Sequence, residues 1–317
     1  MMPNKEVGKI QTVKGANTEN NFKIVDAHVH LWAKKDISFS DDGIPEVNDQ
    51  ELIENNLIDF KKIGGSLAID CTPFGCGRNG NFLFRISNKT GIEIVCVTGF
   101  HIRQYYPSDS VIWHMDFKSA SDFFKKEIKT GLKETLDSKN KVKAGIIKIP
   151  FIGEINDEYK NLTNAAINAA AQTGIPILVH TEKGKNVEFF ADYLEEKGIK
   201  PHKVVFCHLD KRNEISLHEK LALRGFYLEY DTFLREKYEP EKNAYNLIKT
   251  MVNIGFEKSI LLGSDISDNA MWEKVNLSKG YGGFFNKLKN DLSIMIKDAD
   301  TIFNLIGGNA VRLLSKN

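Results

Sequence analysis

AGIIKIPFI, at residues 144–152, is an almost uninterrupted apolar run, and KVVFCHLD, at residues 203–210, is a second. Strands that are covered on both faces have this composition, as in parallel sheets flanked by helices. Eight short β-rich runs occur along the chain, at residues 23–31, 66–71, 92–100, 144–151, 175–180, 204–208, 226–230 and 259–263. Longer segments with helical spacing separate these runs, and two more helices are predicted at residues 284–296 and 300–315.

The alternation of eight strands with amphipathic segments predicts an α/β fold, a (β/α)8 TIM barrel. We expect a single domain over residues 1–317, in which residues 1–22 form an N-terminal extension on or near the barrel. The length of 317 residues suits one such barrel. A doubly wound sheet is the alternative, but no GxGxxG follows a strand to support it.

The charge balance argues against several classes of function. The 43 Lys and Arg residues nearly equal the 42 Asp and Glu residues, which leaves a net charge of +1 and no basic footprint for nucleic acid. No apolar run reaches the roughly 18 residues needed to cross a bilayer, the N-terminus shows no secretory signal, and the four cysteines form no CxxC. We therefore expect a cytoplasmic protein with reduced thiols, a small-molecule substrate and no nucleic-acid or membrane partner. A homodimer is the default expectation for a soluble enzyme.

Polar residues that suit a metal site lie in or after the predicted strands. His28 and His30, in the motif DAHVH, are two apart on the first strand, so their side chains share one face. His180, His208 and Asp265 follow later strands. Singly, each has an ordinary explanation, a structural histidine or a helix N-cap. Together they would meet at the mouth of one barrel, which predicts metal ligation.

Lys148 lies deep in the apolar run 144–152. A buried ammonium group is unfavourable unless it is paired, and burial lowers its pKa. An uncharged amine can add carbon dioxide to form a carbamate, a carboxylate-like ligand able to bridge two metal ions. The alternative is that Lys148 extends to the rim and pairs with an acidic group there.

In this pattern the chain resembles the phosphotriesterase branch of the amidohydrolase superfamily. That family carries HxH on strand 1, a carboxylated lysine on strand 4, a histidine on each of strands 5 and 6, and an aspartate on strand 8. The similarity extends to residues 9–15, 71–100 and 309–315. The metal ligands that the resemblance implies are His28, His30, Lys148, His180, His208 and Asp265. A related nuclease branch uses a glutamate on strand 4, so Lys148 argues against that branch.

The resemblance also implies a mechanism. Two divalent metal ions would be bridged by N6-carboxylated Lys148 and a hydroxide, with zinc expected and manganese or cobalt as alternatives. The more buried ion would be held by His28, His30 and Asp265, and the more exposed ion by His180 and His208. The bridging hydroxide would attack the substrate, and Asp265 would act as general base.

The downstream residues resemble lactonases of this family that act on sugar furanose lactones, several of them phosphorylated. Arg235, Lys237 and Tyr238 follow the seventh strand and are predicted to contact the substrate. Guanidinium and ammonium groups bind phosphate well. A solvated loop of mixed charge explains these residues equally well.

One departure from that subgroup follows the eighth strand. Asp268 and Met271 stand where the phosphofuranose lactonases place an arginine and a tyrosine. The substrate would then be an unphosphorylated lactone, or Lys274 or Lys279 in the loop at residues 266–283 would supply the charge. Four aromatic residues of this region either line an apolar pocket or pack the loop down: Trp272, Tyr281, Phe284 and Phe285.

We therefore predict a binuclear metal-dependent lactonase that opens sugar 1,4-lactones, with or without a 5-phosphate. One alternative is a phosphotriesterase or another ester or amide hydrolase. Another is a catalytically silent metal-binding or interaction protein on the same barrel. Five other polar residues are expected to be supporting or substrate groups (His101 and Asp210) or surface residues (His114, His202 and His218).

Overall fold

The computed structural model describes residues 8–34 and 45–315. Within them, a two-stranded antiparallel sheet precedes an eight-stranded sheet whose strands are parallel and lie in sequence order. The strands are β1 (Lys9–Thr12), β2 (Gly15–Thr18), β3 (Ile24–Val29), β4 (Gly65–Asp70), β5 (Glu93–Gly99), β6 (Ile146–Phe151), β7 (Ile177–Thr181), β8 (Val204–Cys207), β9 (Tyr227–Tyr230) and β10 (Ile260–Leu262).

The parallel sheet closes on itself where its last strand meets its first. Val29 forms a parallel bridge with Ile266. The His30 N–H donates to the Ile266 carbonyl at 2.9 Å, and the Asp265 N–H donates to the His28 carbonyl at 2.9 Å. The predicted (β/α)8 barrel is therefore confirmed, and the doubly wound alternative, an open sheet, is wrong.

Helices cover the outside of the barrel. They are α1 (Gln50–Lys62), α2 (Gly80–Thr90), α3 (Phe117–Lys129), α4 (Asp157–Thr173), α5 (Val187–Glu196), α6 (Ile215–Leu223), α7 (Ala244–Asn253), α8 (Asn269–Ser278), α9 (Gly280–Met295), α10 (Ala299–Phe303) and α11 (Asn309–Leu314). The limits of α4 illustrate how the sequence sets them. Asn156 caps the first turn by accepting from the Tyr159 N–H, and Gly174 ends the helix with φ 69°. No helix of the described residues is long and apolar enough to span a membrane.

Strand alternation divides the core into two layers. On β6, Ile147 and Ile149 pack outward against the helices, whereas Ile146 belongs to the cluster inside the barrel. Lys148 follows the same alternation and faces the interior. The inner cluster also includes Ile10 from the N-terminal hairpin. Residues 8–22 thus pack against the barrel, while residues 1–7 of the predicted extension lie outside the described residues.

A β-bulge sets the direction of the first two predicted ligands. The pairing of β3 with β4 shifts register between Asp26 and Val29. Within the shifted stretch, Ala27 belongs to the interior cluster and the next residue, His28, lines the pocket. An extra residue in one strand re-aims the side chains that follow it, so two consecutive residues here face the interior.

Two helical expectations need correction. Residues 266–283 are not a loop, because α8 occupies most of them and α9 begins at Gly280. Asp268 starts α8 by accepting from the Met271 N–H at 2.7 Å, and the fully buried Trp272 fixes the helix to the core. The predicted helix at residues 300–315 is divided by a π-helical segment, Asn304–Gly308, in which Gly307 leaves helical geometry.

Candidate metal centre and substrate pocket

The carboxyl ends of the barrel strands surround one pocket of about 320 Å³. All six predicted metal ligands line it, namely His28, His30, Lys148, His180, His208 and Asp265. The three predicted substrate contacts line it too, namely Arg235, Lys237 and Tyr238. The structure therefore brings together side chains that are distant in the sequence, at the end of the barrel where such enzymes place their active sites.

One group of possible ligands comes from the two strands that close the barrel. His28, His30 and Asp265 offer ligand atoms that all lie within 4.8 Å of one another. The distance from His28 Nε2 to Asp265 Oδ1 is 3.9 Å. Two atoms that each lie about 2.1 Å from a common zinc ion are at most about 4.2 Å apart. The separation of the His28 and Asp265 atoms therefore suits one shared ion.

A second pair of nitrogens converges beside this group. His208 Nε2 lies 3.0 Å from His180 Nδ1, with the two rings edge to face. A left-handed backbone conformation at His208, with φ 60°, turns its side chain into the pocket directly after the inward-facing Cys207. Asp265 has a similar conformation, with φ 47°. Such strained conformations in non-glycine residues cluster at functional sites.

Each of the four histidines has a polar side-chain atom within 3.0 Å of its other ring nitrogen, and for His208 this is an ion-pair contact without hydrogen-bond geometry. The contacts are His28 Nδ1 with Glu229 Oε1 (2.7 Å), His30 Nδ1 with Thr72 Oγ1 (2.7 Å), His208 Nδ1 with Asp231 Oδ2 (2.7 Å) and His180 Nε2 with Glu182 Oε1 (3.0 Å). A partner on one ring nitrogen fixes the orientation of the imidazole and leaves the other nitrogen for a metal ion. These four partners, Glu229, Asp231, Thr72 and Glu182, were not predicted from the sequence.

Lys148 is fully buried, and its Nζ donates to the Cys71 carbonyl at 2.9 Å. Within the described residues, no carboxylate lies within ion-pair distance of this amine. The alternative in which Lys148 reaches the rim and pairs with an acidic group is therefore wrong. A buried amine without a counter-charge, next to histidines, suits a site where carboxylation and metal binding would supply the missing charges.

The protonation of the site also suits metal binding. Burial, reinforced by neighbouring positive groups, holds the pKa of His28, His30 and His208 well below 6.5. These imidazoles are therefore neutral at pH 7, the form that binds metals. Burial and repulsion from Asp231 raise the pKa of Asp265 to about 6, while Arg235 opposes the rise. Asp265 is consequently ionised at neutral pH and able to accept a proton.

The helix-cap explanation of Asp265 is wrong, because Asp268 caps α8 and Asp265 projects into the pocket. Arg235 Nη2 contacts Asp265 Oδ2 at 2.7 Å and Ser267 Oγ at 3.2 Å. Arg235 Nε is buried and has no hydrogen-bond partner among the described residues.

Two ammonium groups stand at the mouth of the pocket. Lys211 Nζ lies 5.4 Å and Lys237 Nζ lies 5.1 Å from the centre of the Tyr238 ring, and all three residues line the pocket. Neither lysine forms an ion pair with a carboxylate of the described residues. Lys211, which follows His208 by three residues, was not predicted from the sequence. Two lysines that form no ion pair and lie close to the same tyrosine ring make a place where an anion can bind.

The other predicted candidates are placed as follows. Lys274 pairs with Glu236 at 3.0 Å, and neither Lys274 nor Lys279 lines the pocket. Trp272 and Tyr281 are fully buried and pack the segment against the barrel, which excludes them from the pocket. Phe285 is buried and Phe284 is partly buried, and neither lines the pocket.

His101 does line the pocket, stacked on Tyr105 at 4.5 Å. Asp210 lies outside the pocket and accepts hydrogen bonds from the Asp231 and Thr232 N–H groups, which supports the end of β9. His114 and His202 are exposed, as expected. The expectation for His218 is wrong, because its buried ring is held between the Tyr230 hydroxyl and the Arg212 carbonyl.

A histidine-rich pocket that could hold a metal ion, at the carboxyl ends of the strands of a (β/α)8 barrel, is typical of the class of metal-dependent hydrolases. Comparison with known families then gives the family. The model of the phosphotriesterase family matches residues 8–295, and the chain belongs to that family. Members of this family are metal-dependent hydrolases that use a binuclear centre, and this chain is accordingly a metal-dependent hydrolase with a cluster of side chains that could bind metal.

Individual relatives differ in the bond they hydrolyse. The chain is 28% identical to the N-acetyltaurine hydrolase of Homo sapiens over 266 residues, which cover 80% of this chain and 72% of that protein. It is 27% identical to the phospho-furanose lactonase of Mycoplasmopsis synoviae (strain 53) over 329 aligned positions, covering 96% of this chain and 91% of that protein. A lactonase structure from Listeria monocytogenes superposes with a TM-score of 0.87 at 20% identity, covering 96% of this chain and 98% of that one, which supports the barrel fold.

Proposed function

We propose that this protein is a lactonase that opens sugar 1,4-lactones carrying an anionic group, with a 5-phosphate as the expected anion. The observation that carries the substrate class is the pair Lys211 and Lys237 on the Tyr238 ring, beside the histidine cluster. The similarity to a phospho-furanose lactonase along 96% of the chain supports the same class. We further propose that residues 1–317 act as one barrel domain.

The residues of the pocket suit two metal ions. His28, His30 and Asp265 would hold one ion, His180 and His208 the other, and N6-carboxylated Lys148 both. When bound, zinc, manganese or cobalt ions polarise a carbonyl oxygen and lower the pKa of water. The neutral imidazoles and the buried, unpaired Lys148 are the features of this chain that support the assignment.

The chain's own residues then account for proton transfer. Asp265 would accept a proton from the attacking water, because its carboxylate faces the pocket and is ionised at neutral pH. The ring C–O bond breaks, and Asp265 returns the proton to the departing ring oxygen. Arg235 holds Asp265 in place during both transfers through the contact at 2.7 Å. Lys211 and Lys237 would hold the phosphate, which orients the lactone carbonyl toward the histidines.

A proton-release assay on protein loaded with zinc or manganese tests the proposal. The substrates are five-carbon 1,4-lactones with and without a 5-phosphate. We expect kcat/KM to be at least about tenfold higher for the phosphorylated compounds, since one charge-assisted contact contributes about 1.5 kcal/mol or more. The variant with Lys211→Gln and Lys237→Gln should lose this preference. Lys274→Gln, which removes a charge outside the pocket, is the matched control. Absence of turnover on all lactones would contradict the proposal.

A second candidate is an amide hydrolase acting on an anionic N-acyl amine. The relative named N-acetyltaurine hydrolase favours it, since the same lysine pair would accept a sulfonate as readily as a phosphate. Adding N-acetyltaurine to the assay separates the two candidates. Adding a neutral aryl phosphotriester covers a phosphotriesterase activity. A catalytically silent protein would turn over none of these compounds.

A further inference from the structure

Strand β9 and the residue after it present two carboxylates to the interior of the barrel. Glu229 and Asp231 are two apart and contact histidines of the pocket from behind, whereas Tyr230 between them packs outward among the helices. Glu229 Oε1 lies 2.7 Å from His28 Nδ1, and Asp231 Oδ2 lies 2.7 Å from His208 Nδ1. One carboxylate therefore serves one histidine of each proposed ion.

We infer that Glu229 is a positioning residue of the metal centre, acting through His28; this inference rests on the metal-binding part of the proposed function. Its carboxylate accepts the Nδ1–H of His28, so the lone pair of Nε2 points toward Asp265 and the pocket. A histidine ligand whose other nitrogen donates to a carboxylate is fixed in tautomer and orientation and is more basic. His28 Nε2 lies 3.9 Å from Asp265 Oδ1, so this nitrogen is directed toward the carboxylate of the second proposed ligand.

The surroundings of Glu229 argue against a purely structural role. Both Glu229 and His28 are at most 1% exposed. Within the described residues, no lysine or arginine lies within ion-pair distance of Glu229, and its Oε2 has no hydrogen-bond partner. Burying a carboxylate without a cation lowers stability. The positive charge of a metal ion held by His28 would compensate this carboxylate through the imidazole.

The backbone on the other side of His28 is equally restrictive. A Cβ atom at Gly263, which follows β10, would lie 2.8 Å from His28 Cβ and 3.0 Å from His28 N. Only glycine allows this close approach. His28 is thus confined by Gly263 at its backbone and by Glu229 at its ring, and the carboxylate selects which nitrogen faces the pocket.

The test measures metal binding rather than turnover. Zinc affinity is determined by competition with a chromophoric chelator, and metal content is determined after dialysis, for wild type, Glu229→Leu and Glu229→Gln. We expect Glu229→Leu to bind one of the two ions about tenfold to hundredfold more weakly. Glu229→Gln should recover part of the loss, because its amide oxygen still accepts from Nδ1. Glu127→Gln is the matched control, since Glu127 is equally buried but contacts Arg78 and no histidine, and its zinc affinity should stay at the wild-type value.

Thermal unfolding with and without zinc separates positioning from a structural role. Positioning predicts that the metal-free Tm of Glu229→Leu equals or exceeds that of wild type, while the rise in Tm on adding zinc is smaller. An equal fall in Tm with and without zinc would overturn the inference, as would unchanged affinity for both ions. Loss of one ion from Glu229→Gln even at saturating zinc would make Glu229 a direct ligand and also overturn it. If wild type itself bound no zinc, the proposed function would fail first.

Discussion

Arg235 Nη2 makes two contacts with Asp265: it donates to the backbone carbonyl at 2.8 Å and forms an ion pair with the carboxylate Oδ2 at 2.7 Å. The side chain that was expected to hold a substrate phosphate is therefore engaged first with the proposed general base. The carbonyl contact also restrains the left-handed backbone of Asp265, so the arginine fixes both the position and the orientation of the carboxylate.

Arg235→Met should lower kcat by about tenfold to hundredfold on phosphorylated and plain lactones alike, because Asp265 loses its orienting partner. The KM values should change little. Steady-state kinetics on both substrate types provide the measurement. A rise in KM that is confined to the phosphorylated lactone would instead assign Arg235 to the phosphate, as the sequence pattern suggested.

Lys148→Ala should lose bound metal and activity, because the proposed carbamate is the one ligand common to both ions. A short-chain carboxylate such as formate or acetate should restore part of both, since it can occupy the space left by the side chain. Metal analysis and lactone hydrolysis at increasing carboxylate concentration provide the measurement. Full metal occupancy in this variant without added carboxylate would contradict the carbamate assignment.

Asp268 combines two roles that substitution can separate. Asp268→Asn keeps a side chain that caps α8 and removes a negative charge from the pocket lining, so KM for a phosphorylated lactone should fall with little change in stability. Asp268→Ala loses the cap and should lower the free energy of unfolding by about 1 kcal/mol. Kinetics and urea unfolding of both variants test this. Unchanged stability of the alanine variant would show that α8 does not depend on the cap.

His218 predicts part of the acid sensitivity of the fold. Burial lowers its pKa from 6.5 to about 4, so the folded state holds the ring neutral while the unfolded chain takes up a proton below pH 6.5. Its contribution is therefore fully present above pH 6.5 and is lost as the pH falls toward 4. At pH 5 the loss is about 2 kcal/mol, from roughly 1.5 pH units at 1.36 kcal/mol each.

His218→Gln should accordingly reduce the fall in unfolding free energy between pH 7.5 and pH 5 by about this amount. Urea unfolding of metal-free protein at the two pH values gives the comparison, with the exposed His114→Gln as the matched control. Parallel pH profiles for wild type and both variants would exclude a contribution from His218.

The sequence was sufficient to predict the barrel fold and to predict that six particular residues reach its pocket, because both predictions depend on local sequence patterns. Apolar runs such as residues 144–152 mark buried strands wherever they pair, and a histidine at a strand end reaches the barrel mouth without knowledge of its neighbours. The assignment of the six as metal ligands, a homodimer, a single domain and a cytoplasmic location stay predictions.

The features that could not be predicted from the sequence depend on contacts between segments that are distant along the chain. The role of Glu229 follows from its contact with His28, and that of Lys211 from its contact with Tyr238. Neither contact is visible in the sequence. The buried partners of His218 lie on β9 and on the turn before α6. Helix α8 was missed because its apolar residues are few, and because its attachment to the core through Trp272 becomes visible only in the folded chain.

The barrel closes at a seam between β3 and the residues that follow β10, and this seam has a consequence for kinetic stability. The hydrogen bonds between His28 and Asp265 and between His30 and Ile266 join the two extremes of the barrel sequence. An ion shared by His28, His30 and Asp265 would lie across this seam and act as a cross-link that closes a very long loop of chain. Metal content would then control the rate at which the barrel opens along this edge. It would thereby set the lifetime of the folded protein against heat and proteases, independently of any effect on hydrolysis.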